Sequence, residues 1–268
     1  MVEKKWLFDR RWTKDFTRLR QEFIMQLLVT ARQEMNLASA LDVGCGLGDF
    51  SKFLSDLGFR VTGVDGRQEN AAEAQRRYPR LKFDAANAED LAGSRLGTFD
   101  LVLCFGLLYH LENPFRVIRH LHAVTEKLLL IETMCIPDGS PAMELLDEGV
   151  AEDQGLSYVA FYPSESCLIK MLYRAGFPFV YRFGRLPDDE LFRAGLWRKK
   201  QRTFLAASKV SLSEPNLILA RESSRWTPND LDPWGTGLSR VRHALFQVRI
   251  FASRALGPIR KVVGAKSK

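Results

Sequence analysis

The feature that most narrows what this chain can fold into is an alternation of short apolar runs with amphipathic stretches between residues 38 and 132. The runs are ALDV, RVTGV, LKF, FDLVLCF and KLLLIE, and helical spacing fills Phe50 to Leu57, Gln68 to Tyr78 and Pro114 to Val124 between them. Short β-rich runs that alternate with helices read as a parallel sheet covered on both faces, an α/β fold. Upstream, Phe16, Leu19, Phe23, Leu27, Ala31 and Met35 recur at three- and four-residue spacing and describe one face of a further helix. Downstream, a helix from Ser164 to Ala175 closes at Gly176, a residue type suited to a left-handed cap, and leads to strands near Phe177 to Phe183 and Arg202 to Ser208. NLILARES adds one more strand.

Between the fifth strand and Ser164 the order loosens into a segment, about 137–163, that is too long for a plain connection and is expected to cover a site. From Thr133 to Ile169 it carries seven acids and no Lys or Arg. The net charge of +7 comes from elsewhere: residues 238–268 hold eight Lys or Arg and no acid, and removing those eight from the 39 leaves 31 basic against 32 acidic residues. In this tail Leu238, Val241, Leu245, Val248, Ala252, Ala255 and Ile259 form a helical seam, for which packing on protein, contact with an anionic membrane surface and contact with nucleic acid compete, in that order. The expected organisation is a helical cap at 1–36, a main domain at 37–210, a strand and linker at 211–237 and the basic tail. The four cysteines are scattered without a C-x-x-C pair, and the N-terminus lacks the apolar core of a signal peptide. A cytoplasmic protein, with peripheral membrane contact through the tail, is the expectation; the oligomeric state is not encoded in any motif.

LDVGCGLGDF places Gly44, Gly46 and Gly48 at alternate positions directly after the first strand. A strand, a glycine turn and a helix bring backbone N–H groups and a helix N-terminus against a bound cofactor. The spacing is not G-x-G-x-x-G, since Asp49 stands where a pyrophosphate site would have its last glycine, and no Gly-Lys-Ser/Thr follows. Asp65 ends the second strand 23 residues after Asp42, where a carboxylate can accept hydrogen bonds from both hydroxyls of a ribose. Asp42, the glycines and Asp65 together describe a pocket for an adenosyl group without a phosphate tail.

At these motifs the chain resembles the class I S-adenosylmethionine-dependent methyltransferases, over about Leu37 to Ser208. The resemblance implies a Rossmann-like sheet, mostly parallel with an antiparallel strand near the end and helices on both faces, and S-adenosyl-L-methionine as cofactor. It implies that the loop with Asp42, Gly44, Cys45, Gly46 and Gly48 carries the methionine part and that Asp65 binds the ribose. Asn87 and Ala88, where the family commonly has Asp-Ala, would meet the adenine edge, with Phe105 at the neighbouring strand end. Asn in place of Asp departs from the commoner form, although an amide oxygen can still accept from the adenine amino group.

Methyl transfer is an in-line displacement on a sulfonium carbon, so the protein mainly aligns the nucleophile, excludes water and, for an O–H or N–H acceptor, removes a proton. FDLVLCFGLLYHLENP carries His110 to the cofactor edge as the candidate base, with Tyr109 beside it as wall or hydrogen-bond donor. The bland alternative for His110 is a backbone-carbonyl hydrogen bond at a helix start. Glu132, at the end of KLLLIE, is a candidate to hold the acceptor, against a solvated strand end; His120 and His122 read as surface or packing residues. The leading expectation is transfer to a small-molecule or glycoconjugate acceptor at oxygen. LLYHLENP, LLLIETM and YVAFYPSESCL-to-RAGF also resemble the tRNA wobble-uridine carboxymethyltransferase branch, whose carboxylated cofactor needs basic contacts that the sequence leaves unplaced. The acidic segment opposes RNA binding, which draws on cationic contacts to phosphates. A cofactor-binding scaffold without turnover is the remaining reading.

Overall fold

Every apolar run read from the sequence forms a strand in the computed structural model, which describes residues 6–93, 96–150, 155–193 and 200–222. In chain order the elements are α1 (Arg11–Glu34), β1 (Ser39–Val43), α2 (Asp49–Asp56), β2 (Arg60–Asp65), α3 (Gln68–Arg77), β3 (Lys82–Ala85) and β4 (Phe99–Phe105). They continue with α4 (Pro114–Val124), β5 (Thr125–Cys135), β6 (Met143–Asp147), β7 (Val159–Pro163), α5 (Glu165–Ala175), β8 (Phe179–Phe183), β9 (Gln201–Ser208) and β10 (Leu217–Leu219). Proline opens α4, and Ser164 caps α5 by accepting from the Cys167 N–H at 3.1 Å. The expected left-handed stop is present: Gly176 has φ 115° at the end of α5.

The sheet order is β10-β8-β9-β5-β4-β1-β2-β3. The five strands from β3 to β5 are parallel, and the antiparallel strand expected near the end is β9, inserted between β5 and β8. NLILARES contributes the short β10 on the edge of β8. Because both faces are covered, side chains of alternate parity all find a core. Val102, Cys104, Leu129 and Ile131 pack with α4 and α5, while Leu101, Leu103, Leu128 and Leu130 pack with Ile24 and Leu28 of α1. Fully buried leucines of this kind each contribute about 2–5 kcal/mol relative to alanine.

The segment 137–163 is not an irregular loop. Its flanks pair as an antiparallel two-stranded hairpin, β6 with β7, joined to the body where Ile136 bridges Ser164. At the opposite, amino end of the sheet Asp100 accepts from the N–H groups of Ala38 and Ser39 and pairs with Lys127 at 3.0 Å. Burial works against its charge, but those partners outweigh it and hold the carboxyl down at about 2. Among the described residues no helix is long and apolar enough to cross a membrane. The basic tail and most of the linker before it lie outside the described residues.

Candidate functional site

The carboxyl ends of β1, β2, β3 and β4 open on one cavity of about 440 Å³, walled also by α1, β9 and the end of the hairpin. Its first half is the glycine loop. Gly44 and Gly46 have φ of 75° and 54°, and the Gly44 and Cys45 N–H groups both bond the Val64 carbonyl, which folds the loop over the end of β2. A Cβ on Gly48 would stand 2.8 Å from the Phe83 ring, so this glycine is needed for packing behind the loop rather than for the cavity surface.

Asp65 faces the cavity from the end of β2 and accepts from the Gly46 N–H at 2.9 Å, the Arg67 N–H at 2.9 Å and the Asn70 amide at 3.1 Å. Burial raises its pKa against these donors. Asn70 Oδ1, next to it, is a buried acceptor without a hydrogen-bond partner, so the pair offers acceptors to a ligand bearing hydroxyl donors. Behind the loop Asp42 is buried and takes a 2.7 Å hydrogen bond from Ser51, and burial lifts its pKa to about 6. With Asp49 at the start of α2, three carboxylates ring the loop, a field that suits a cationic ligand and disfavours a phosphate. Burial, then Asp42 and Asp65, push the Cys45 thiol well up, so it is a neutral wall residue.

Asn87 and Ala88 line the cavity beyond Asp65, but Asn87 Oδ1 accepts from the Glu89 N–H at 3.0 Å and caps the following turn. Its amide thus has a structural use, which leaves the second lone pair of Oδ1, the amide NH2 and the Ala86–Ala88 backbone to a ligand. Phe105 closes β4 and packs edge-on against Phe50 and Phe204 at the cavity floor.

The second half is assembled from distant segments. Glu132 is no solvated strand end: it is fully buried and lies behind the cavity wall. Arg20 of α1 donates to Glu132 Oε2 at 2.9 Å, and Arg202 of β9 donates to Glu132 Oε1 at 2.6 Å. Burial opposes the Glu132 charge, but the two guanidiniums outweigh it and hold the carboxyl below its usual range. Two arginines against one carboxylate leave this cluster one positive charge in excess, and both arginines reach the cavity. Arg202 also donates to the Tyr109 hydroxyl at 3.0 Å, and burial raises the pKa of that phenol.

His110 sits in the turn Leu108–His110 just after β4, buried but in the cavity wall. Its partner is not a backbone carbonyl. Nδ1 lies 2.6 Å from Oε1 of Glu148, a side chain that is 4% exposed and comes from the hairpin. His120 and His122 stand apart, the first 3.3 Å from the Ala88 carbonyl and the second against Phe177. Of the residues singled out from sequence, Gly44, Cys45, Gly46, Asp65, Asn87, Ala88, Phe105, Tyr109 and His110 meet at the cavity, whereas Asp42, Gly48 and Glu132 support it from behind. Sequence reasoning missed Arg20, Arg202, Asn70 and Glu148. Only Asn70, five residues after Asp65 in the first turn of α3, had a local signal. Among the described residues no group of three or more His, Cys, Asp or Glu is placed to hold a metal ion.

Residues 41–128 match the family model described as a methyltransferase domain. The ubiquinone biosynthesis O-methyltransferase of Albidiferax ferrireducens is 37% identical over 108 residues, which cover 38% of this chain and 40% of that protein. The chain thus spans well under half the length of the curated relatives it matches. Among solved structures, the N-terminal domain of EvdMO1 with SAH bound aligns at a TM-score of 0.56 and 21% identity, over 67% of this chain and 79% of that one. SAM-bound CalS10, an amino pentose methyltransferase from Micromonospora echinaspora, aligns at a TM-score of 0.51 and 17% identity, over 78% of this chain and all of that one. Residues 41–128 of the chain are thus a methyltransferase domain, and its fold is that of the S-adenosylmethionine-dependent methyltransferase structures with which it aligns.

Proposed function

We propose that this protein transfers a methyl group from S-adenosylmethionine to an oxygen of a small-molecule or glycoconjugate acceptor. The observation that carries the proposal is one cavity with two unlike ends: an acid-ringed glycine loop with Asp65 and Asn70 at one, and the buried His110–Glu148 pair at the other. The residues fit the cofactor on the structure's own terms. Asp65 and the unpartnered Asn70 Oδ1 supply acceptors for a ribose diol, and the Ala86–Ala88 backbone supplies an edge for a purine. Arg20, on the cofactor side of the basic cluster beside Phe50, is the cation available to an amino-acid carboxylate.

When bound, S-adenosylmethionine supplies a methyl group on a sulfonium carbon that is already a good electrophile. The chain's part is then alignment, exclusion of water and removal of one proton. His110 Nε2 takes the proton from the acceptor hydroxyl, Tyr109 walls the acceptor and Arg202 holds the Tyr109 ring in place. The name of the ubiquinone biosynthesis O-methyltransferase relative supports an oxygen acceptor on a small molecule.

Calorimetry with S-adenosylmethionine and with a nicotinamide dinucleotide tests the cofactor end: heat from the first alone is expected, and its absence would end the proposal. Methyl incorporation from labelled cofactor into fractionated cell extract tests the acceptor end, with label expected in the small-molecule fraction and unaffected by ribonuclease. One observation favours a second reading, modification of a tRNA uridine: Arg20 and Arg202 supply in the cavity the kind of basic contacts that a carboxylated cofactor requires. Tighter binding of the carboxylated cofactor than of S-adenosylmethionine, with ribonuclease-sensitive label, would replace the first reading by this one.

A further inference from the structure

We propose that Glu148 is a positioning residue: it holds the His110 imidazole as the Nδ1–H tautomer, so that Nε2 is the nitrogen with a free lone pair. The inference deepens the reading of His110 as base and rests on it. Which nitrogen of a neutral imidazole carries the proton is set by the hydrogen bond the other makes. A carboxylate is an acceptor only, so the 2.6 Å contact between Glu148 Oε1 and His110 Nδ1 requires the proton on Nδ1.

The carboxylate is itself held in place. Its other oxygen, Oε2, accepts from the Gly155 N–H at 2.8 Å, so both oxygens have partners and the side chain cannot turn away at low cost. Gly155 reaches that position only because it is glycine: a Cβ there would run into the His110 carbonyl oxygen. Glu148 directly follows the first strand of the hairpin, and its N–H bonds the Tyr158 carbonyl at 2.8 Å, which continues the pairing past Asp147. The base is thus assembled from two segments 38 residues apart, and it is complete only with the hairpin docked. Among the described residues, the other titratable or charged groups on the elements around the ring are Tyr109, with its centroid 3.9 Å away, Glu112 in the same cavity wall, Glu144 and Asp147 of β6, Tyr162 of β7, and Arg202 and Glu132 beyond Tyr109. Among these Glu148 is the one hydrogen-bonded to the imidazole.

Nitrogen-15 spectra of the full chain labelled at its histidines, recorded well above the imidazole's ordinary titration range, test this without any acceptor. In the wild-type protein the His110 signals, identified by their loss in His110→Asn, are expected to show a protonated Nδ1 and an unprotonated Nε2. Glu148→Ala is expected to move the proton to Nε2, with the His120 and His122 signals unmoved as the check on folding. Glu148→Leu, which keeps the bulk of the buried side chain without an acceptor, serves where alanine loosens the hairpin and is expected to give the same switch. A wild-type His110 carrying its proton on Nε2, or on both nitrogens, would overturn the proposal, as would a variant spectrum identical to the wild type. Calorimetric binding of S-adenosylmethionine separates the two levels: its absence would remove the methyltransferase proposal while leaving the tautomer result standing. In turnover, Glu148→Leu is expected to lower kcat with little change in the KM for S-adenosylmethionine, by less than the roughly 10²–10⁴-fold that loss of a general base costs.

Discussion

The two ends of the cavity are built in opposite ways. Apart from Arg20 and Phe105, the proposed cofactor end comes from about fifty consecutive residues, Leu41 to Leu91, in which each strand delivers its loop to the same sheet edge through short-range contacts, such as Gly46 to Asp65 across 19 residues and the Gly44 N–H to the Val64 carbonyl across 20. The proposed acceptor end brings together α1, the turn after β4, the hairpin and β9, through contacts that cross 38, 70, 93 and 112 residues. The difference teaches where variation can be accommodated. A loop fixed by its own backbone hydrogen bonds can bind the same cofactor in many chains, while a wall made of remote side chains changes its acceptor with any one of four segments.

The comparison breaks most visibly at His110. His110→Ala is expected to lower kcat by about 10²–10⁴-fold while the S-adenosylmethionine affinity stays near wild type, measured by turnover and calorimetry side by side. Equal losses in both would mean that the two ends are not separable. Next in size is Glu132→Ala, which strands two buried guanidiniums and should cost about 3–5 kcal/mol of stability in denaturant unfolding. A cost near zero would show that the arginines turn to solvent instead. Asp65→Ala removes charge-assisted hydrogen bonds worth about 1.5–3 kcal/mol and should weaken S-adenosylmethionine on the order of 10- to 100-fold, with acceptor KM unchanged.

The smallest effect is a control remote from both ends. Asp100 has its carboxyl depressed from the ordinary 3.8 to about 2, so the stability it adds is present above the first value and lost as pH falls through the second. Asp100→Asn should therefore cost under about 1 kcal/mol at neutral pH, given its partial exposure, and the gap from wild type should close between those pH values. A gap that persists at lower pH would mean that the N–H contacts to Ala38 and Ser39 matter through packing and not through charge.

Periodicity carried the sheet and its helices because burial on both faces forces near-continuous apolar strands, and Gly176 stopped α5 because only a left-handed cap fits there. Asp65 was readable for a similar reason, since its position at a strand end follows from local spacing. Asn87 has a second use that motif reading does not show: its residue type fits an adenine contact, and its side chain also caps the turn that follows. The hairpin strands were not legible because exposed Met143 and Leu145 blur the alternation along β6.

The amino-acid sequence by itself determined the α/β class, the order of the parallel strands' runs, the glycine loop and the carboxylate that follows it, because each depends on interactions within one helical turn or one strand-turn-helix unit. Only the tertiary structure decided that Glu132 braces two arginines, that Arg20 and Arg202 share one wall, and that Glu148 meets His110. Those pairings are Coulombic and hydrogen-bonded contacts between side chains far apart along the chain, and their geometry exists only once the hydrophobic core has placed α1, β9 and the hairpin at a single sheet edge.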